Sequence, residues 1–227
     1  MGFVYIVLGG YQLFTENTLP PVALGLERLA SVSALLWTRS VVLAGNFVGG
    51  APGAIASAYA GVFEPATAAA AADISGKGLA TPPLALFFNG AFAGLIIAGV
   101  VWLDYAVRDT ISRLVLVYIA FLLIPLGDLF HVVVSFTELM YLIYLVEAAL
   151  AAGVVGFVLP VLLGNTLGGV LLVTVVNYLQ TTERRLETAR DDDLERQLSV
   201  REWLGGSGVG RHVRPADSDG ERQRGND

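Results

Sequence analysis

The stretch Ala44-Gly45-Asn46-Phe47-Val48-Gly49-Gly50 returns almost letter for letter as Leu163-Gly164-Asn165-Thr166-Leu167-Gly168-Gly169, each time inside an apolar run. Two copies of one apolar unit constrain the chain to a duplicated membrane architecture. Each copy follows a hydrophobic segment with a polar interruption, Leu13-Phe14-Thr15-Glu16-Asn17 before the first and Gly127-Asp128-Leu129-Phe130-His131 before the second. Backbone that leaves a helix inside a bilayer must be buried in protein or line a cavity. Paired broken spans at matching places in two halves therefore point to a transport site near the midplane.

The composition agrees with this class: hydrophobic residues make up 55% of the chain, charged residues only 15%, and the mean hydropathy is +0.65. Charge is also segregated. Residues 1–182 hold nine Asp/Glu and five Lys/Arg, and residues 183–227 hold the other eleven and nine. The expected division is a transmembrane domain over 1–182 and a polar, largely disordered cytoplasmic tail over 183–227. With no clustered basic charge and a pI near 4.9, a nucleic-acid partner is not expected. The chain has no Cys. No His/Cys/Asp/Glu set has metal-ligand spacing, and neither a phosphate loop nor a Ser/His/Asp nucleophile arrangement appears. The expectation is a protein that is not an enzyme and carries no cofactor or metal.

A membrane crossing takes about 20 mainly apolar residues, and five spans can be placed. The first is broken, running from Gly2 to about Leu13 and resuming at Thr18-Leu19-Pro20-Pro21, where two prolines predict irregular backbone. The second covers about Val41 to Val62, the third about Leu84 to Tyr105, and the fourth about Leu114 to Phe136 with breaks at Pro125 and Gly127-Asp128. The fifth covers about Gly156 to Leu179. Residues from Glu64 to Pro83 read as a loop, Glu147 as a loop charge, and Leu186 to Leu204 as a short surface helix. Arg28 and Arg39 fall between spans one and two, Arg108 and Arg113 between three and four, and Arg184 and Arg185 after span five. The positive-inside rule then places these loops and the C-terminus in the cytoplasm. Aligned on Gly-Asn, the second half reads full span, broken span, Gly-Asn span, whereas the first lacks its leading full span. The expectation is five spans of an inverted-repeat bundle that has six; a true five-span protein is the alternative.

Among residues that bear chemistry, His131 stands out because an ionisable side chain in a span is a functional candidate by default and imidazole titrates near neutral pH. The competing reading is a neutral His bonded to a carbonyl. Thr15 offers a hydroxyl to an anion, with Leu13 and Phe14 beside it as a dry constriction; the competing reading is a hydroxyl bonded back to its own turn. Asn46 and Asn165 read as structural, capping a broken helix or bonding across helices. Gly49, Gly50, Gly168 and Gly169 read as close-packing residues, and Gly45 and Gly164 complete the structural motif around the two Asn residues. Asp128 and Glu138 bracket His131 and are candidates to orient it, with Asp128 also a candidate cap for the half-helix that follows.

Taken together, Gly9-Gly10-Tyr11-Gln12-Leu13-Phe14-Thr15, the two Gly-Asn-x-x-Gly-Gly stretches, and Gly127-Asp128-Leu129-Phe130-His131 followed by Ser135 and Glu138 resemble the formate/nitrite transporter family over about residues 2–180. The resemblance implies an aquaporin-like inverted-repeat helical bundle, assembled as a homopentamer with a pore in each protomer for small monovalent anions. It also implies a central His and Thr, matched here by His131 and Thr15. Its hydrophobic constrictions map onto Phe3, Leu13 and Phe14 on one side and Ile97 and Ile124 on the other, and a Lys at the outer mouth maps onto Lys77. The chain departs from the best-known members, which carry Gly-Phe-Glu-His and then an Asn-containing segment, by reading Leu-Phe-His and then Val132 to Glu138. An Asn that assists the His in those members aligns with Gly94.

A bare anion crossing two apolar slits costs several kcal/mol or more. The expected function is transport of a weak-acid anion that His131 neutralises or steadies at midplane while Thr15 holds it. The alternatives are a channel for a small neutral solute and a non-conducting scaffold arising from loss of a span. The expected location is the plasma membrane, with the chain crossing several times.

Overall fold

The computed structural model describes residues 2–145, 148–176 and 198–206, and no strand occurs among them. Glu147, His212 and the tail between Asn177 and Gln197 lie outside the described residues. The chain begins with α1 (Gly2–Gly9), leaves helical geometry at Gly10 (φ +68°), makes one tight turn at Glu16–Thr18, and re-enters a helix as α2 (Leu19–Leu26). Pro20 and Pro21 do not keep this segment irregular as expected. They sit in the first turn of α2, where an amide has no helical acceptor in any case, and the break falls upstream of them.

Ser31 starts α3 (Val32–Tyr59) by accepting a hydrogen bond from the Ala34 amide at 3.2 Å, so the helix begins well before the expected Val41. The segment from Glu64 to Pro83 is not a loop: it holds α4 (Pro65–Ala80). Its run of alanines has the highest helix propensity of any residue type, and Pro65 opens its first turn. Then come α5 (Pro83–Ala106), α6 (Thr110–Leu126) and α7 (Val132–Tyr144), with the expected break lying between Leu126 and Val132 rather than at Pro125, which remains helical. The last long stretch is α8 (Leu150–Gly153) and α9 (Leu159–Leu167), joined through a wide turn at Val154–Val158 and continued by another at Gly168–Val175.

Among the described residues, three stretches are long and apolar enough to cross a membrane, namely Val32–Tyr59, Pro83–Asp104 and Leu150–Leu171, and α6 and α7 are shorter apolar helices. The chain is a multi-pass α-helical membrane protein. Its firmest crossing is α5 against α9. A Cβ placed on Gly164 or Gly168 would run into the carbonyl oxygens of Phe87 and Ala91, and one on Gly94 into the backbone of Asn165. Lipid gives little hydrophobic force between helices, so such backbone approach is what holds them together. Gly45 and Gly49, their counterparts in the first copy, have nothing within 4 Å and are exposed.

Elsewhere α3 packs on α7 through Phe47 stacked on Phe136 at 4.0 Å, and α1 packs on α6 through Phe3 stacked on Phe121 at 4.1 Å. The described part of the tail forms α10 (Val200–Gly205), opened by a Ser199–Glu202 capping box. It docks near the end of α2: the Trp203 indole donates to the Gly25 carbonyl at 2.7 Å, and the Leu198 amide to the Arg28 carbonyl at 2.9 Å.

Candidate functional site

The two breaks face each other. Thr15, in the first, lies 2.8 Å (Oγ1 to Nε2) from His131, which ends the second and precedes α7. Both are buried, Thr15 at 2% exposure and His131 at 1%. The threonine is therefore not spent on its own turn, and the imidazole is not bonded to a carbonyl through this nitrogen. The other ring nitrogen, Nδ1, is buried without a partner.

Each break is held by an asparagine. Asn46 on α3 accepts from the Phe14 amide and donates to the Gln12 carbonyl, both at 2.9 Å. Asn165 on α9 accepts from the Val132 amide at 2.8 Å and donates to the Phe130 carbonyl at 2.9 Å and to Gly90 at 2.8 Å. In each case one amide clamps the two residues flanking a third: Leu13 in the first break, His131 in the second. An extended backbone in the bilayer needs such partners because lipid supplies none. Gly164 and Gly168 bring α9 against α5, which seats Asn165 at Gly90. Gly45 and Gly49 have no such neighbour around Asn46.

Leu13 and Phe14 are buried beside Thr15, and Phe14 packs with Val132 and Phe157. The expected grouping of Phe3 with them does not hold. Phe3 packs instead with the cluster that contains Ile97 and Ile124, because α1 lies along α6, and its ring meets the His131 ring edge-on at 5.2 Å. Phe3, Ile97 and Ile124 thus belong to one apolar layer.

A cavity of about 550 Å³ reaches His131 from the surface, and Phe3, Ile124, Ser135 and Glu138 line it. Lys77 and Asp128 stand at its mouth 3.5 Å apart, both side chains largely exposed. Asp128 therefore neither caps α7 nor orients the imidazole. It adopts a left-handed backbone (φ +50°) that carries its carboxylate toward Lys77. Glu138 lines the same cavity as His131, but no hydrogen bond joins the two. Ser135, part of the motif that follows His131 but given no role by the sequence, is fully buried and its hydroxyl is unpartnered. Spacing was the available signal, since 131, 135 and 138 fall on one face of a helix.

Arg39, expected in the loop between spans one and two, sits inside α3 and is 8% exposed, with its guanidinium over the Phe14 ring at 4.2 Å. Among the described residues no cluster of three His, Cys, Asp or Glu side chains is placed to hold a metal.

The two breaks thus bring together one buried pair of hydrogen-bonding side chains, with one apolar cluster containing Phe3, Ile97 and Ile124 and another containing Phe14. Comparison with known proteins places it in context. The family model described as formate/nitrite transporter matches residues 1–179. Inner membrane protein YfdC of Escherichia coli (strain K12) is 30% identical over 181 residues, which cover 79% of this chain and 58% of that protein. The chain therefore spans less than two thirds of the length of that relative. Among solved structures, a pentameric formate channel with formate bound superposes with a TM-score of 0.65 at 18% identity, covering 80% of this chain and 79% of that one. At that identity the likeness is one of fold.

Proposed function

From the premise that the chain belongs to the formate/nitrite transporter family, matched over residues 1–179, we propose that it carries a small monovalent weak-acid anion through a pore in each protomer of a homopentamer. The plasma membrane is the proposed location, with the C-terminus cytoplasmic. The bundle is proposed to be an inverted repeat, with α1–α2 and α6–α7 as its two broken spans.

The observation that carries the reading is the buried Thr15–His131 contact at 2.8 Å. The bond has two possible directions, and both leave a proton facing the path. If the Thr15 hydroxyl donates to Nε2, the neutral ring carries its proton on Nδ1. If Nε2 donates instead, the Thr15 hydrogen is free. Either arrangement presents a donor to an anion in a dry setting, where a hydrogen bond to a charged group is worth about 1.5–3 kcal/mol. Protonated imidazole would present both.

Entry is from the cavity mouth, where Lys77 supplies the positive charge. Past it, the layer of Phe3, Ile97 and Ile124 strips water on one side of His131, and Leu13 and Phe14 do so on the other. A weak-acid anion that takes a proton from the imidazolium form of His131 would leave a neutral ring, to be protonated again from the aqueous cavity, and would meet the second layer as a neutral molecule, which lowers the cost of the crossing.

Flux of formate and nitrite into proteoliposomes across a pH range is the test. Weak-acid transport is expected to rise on acidification and to fall with His131→Asn. Flux unaffected by pH and by that substitution would favour the neutral-solute channel, and absence of flux from folded, inserted protein would remove the assignment.

A further inference from the structure

Among the described residues, no carboxylate pairs with the charge of Arg39. Within a bilayer such a group is expensive unless paired, and buried arginines are ordinarily met by carboxylates in bidentate fashion. Here no carboxylate lies within ion-pair distance of Arg39 among the described residues. The ion pairs found there are Lys77 with Asp128 and Arg113 with Asp104. Glu16 stands on the neighbouring turn, but its Oε2 is itself buried without a partner.

What Arg39 does contact is the turn that holds Thr15. Its Nη1 donates to the Thr18 hydroxyl at 2.8 Å and to the Asn17 carbonyl at 3.3 Å. The guanidinium lies over the Phe14 ring. Its Nη2 is buried and has no acceptor. A rigid planar cation held at three points, with one amino edge left unsatisfied, is built to take a planar oxyanion. Arg39 does not line the cavity that ends at His131. Thr15 reaches His131, whereas Thr18, at the far end of the same turn, reaches Arg39. The two donors thus sit in succession along one backbone segment, with the Phe14 ring beside the second.

We propose that Arg39, through its buried, unpartnered Nη2, forms a second binding station for a small planar oxyanion, between the Thr15–His131 pair and the α2 end of the bundle. Its place in a conduction path rests on the anion-transport reading above; the binding does not. An anion that leaves the central pair would be caught there, and Arg39 would otherwise be left without a counter-charge.

The experiment is thermal unfolding of the full chain in detergent, titrated with sodium formate at constant ionic strength against sodium gluconate, with formamide as the neutral isostere. Ligand that binds only the folded state raises the melting temperature. Formate is expected to stabilise the native chain and formamide is not. In a His131→Asn background the formate response should persist, and adding Arg39→Gln should abolish it. Arg39→Lys keeps the charge and loses the fork, so it should respond with a half-saturating concentration about tenfold higher, as expected for loss of one charged hydrogen bond. If Arg39→Gln does not fold, the comparison of native chain with Arg39→Lys decides. An unchanged half-saturation in either variant overturns the site. An Arg39-dependent response without formate flux in liposomes keeps the site and removes the transport reading; flux without that response does the reverse.

Discussion

Asn46 and Asn165 make the same pair of hydrogen bonds to the two broken segments, each accepting from one amide and donating to the carbonyl two residues earlier. The residue clamped between is Leu13 in one case and His131 in the other. One kind of clamp thus fixes both a residue proposed to form an apolar slit and the residue proposed to neutralise the cargo. Their surroundings differ. Asn165 is 2% exposed and makes a third bond to Gly90, while Asn46 is only half-buried.

Asn165→Ala should therefore cost more than Asn46→Ala. The first leaves the Val132 amide and the Phe130 carbonyl without the partner Asn165 supplies and also removes the added bond to the Gly90 carbonyl; the second leaves fewer groups out of reach of water. Net bonds of about 1 kcal/mol or somewhat less in membranes give losses of about 2 kcal/mol and 1 kcal/mol. Unfolding midpoints in detergent check the order, and equal losses would contradict it.

The glycines of the two repeats should also part company. Gly164→Ala or Gly168→Ala drives a methyl into the α5 carbonyls and should prevent recovery of folded protein. Gly45→Ala or Gly49→Ala meets nothing within the protomer and should be neutral or stabilise by up to about 1 kcal/mol from helix propensity. Size-exclusion profiles with melting curves read both outcomes, and a folded Gly168→Ala protein would refute the packing account.

This difference marks where sequence stops being informative. The repeated Gly-Asn unit marks two segments with the same backbone task, and the breaks are legible from Thr15, Gly127 and His131. Burial was not, because apolar faces look alike whether they meet lipid, a neighbouring protomer or the core. Arg39 read as a loop charge because a positively charged residue near a span end serves topology so often, and the early start of α3 at Ser31 carried it inside. Phe3 was assigned to the wrong layer because a linear alignment does not reveal that α1 lies along α6. The α4 helix was overlooked because small residues flanked by Pro resemble a linker until the alanine run is weighed.

Asp109 offers a pH test away from the pore. Its carboxylate caps α6, accepting from the Ser112 and Ile111 amides at 3.0 Å. Bonding to Ser112, then to the Ile111 amide, holds it below the usual aspartate range. A carboxyl whose folded pKa is depressed adds stability above its unfolded pKa and loses it as pH falls through the folded value. Asp109→Asn should flatten the acid limb of the stability curve, measured as melting temperature against pH; an unchanged limb would show that the cap contributes nothing to it.

The central claim is that Thr15 and His131 act as one unit on the cargo, and a double-mutant comparison of formate flux in proteoliposomes tests it most directly. Thr15→Val and His131→Asn are each expected to lower flux by about tenfold or more, as loss of one hydrogen bond to a charged group predicts, and the double variant to be little worse than either alone, since each breaks the same contact. Thr15→Ser should restore most of the flux. Independent, multiplying losses, or full flux in Thr15→Val, would contradict the account.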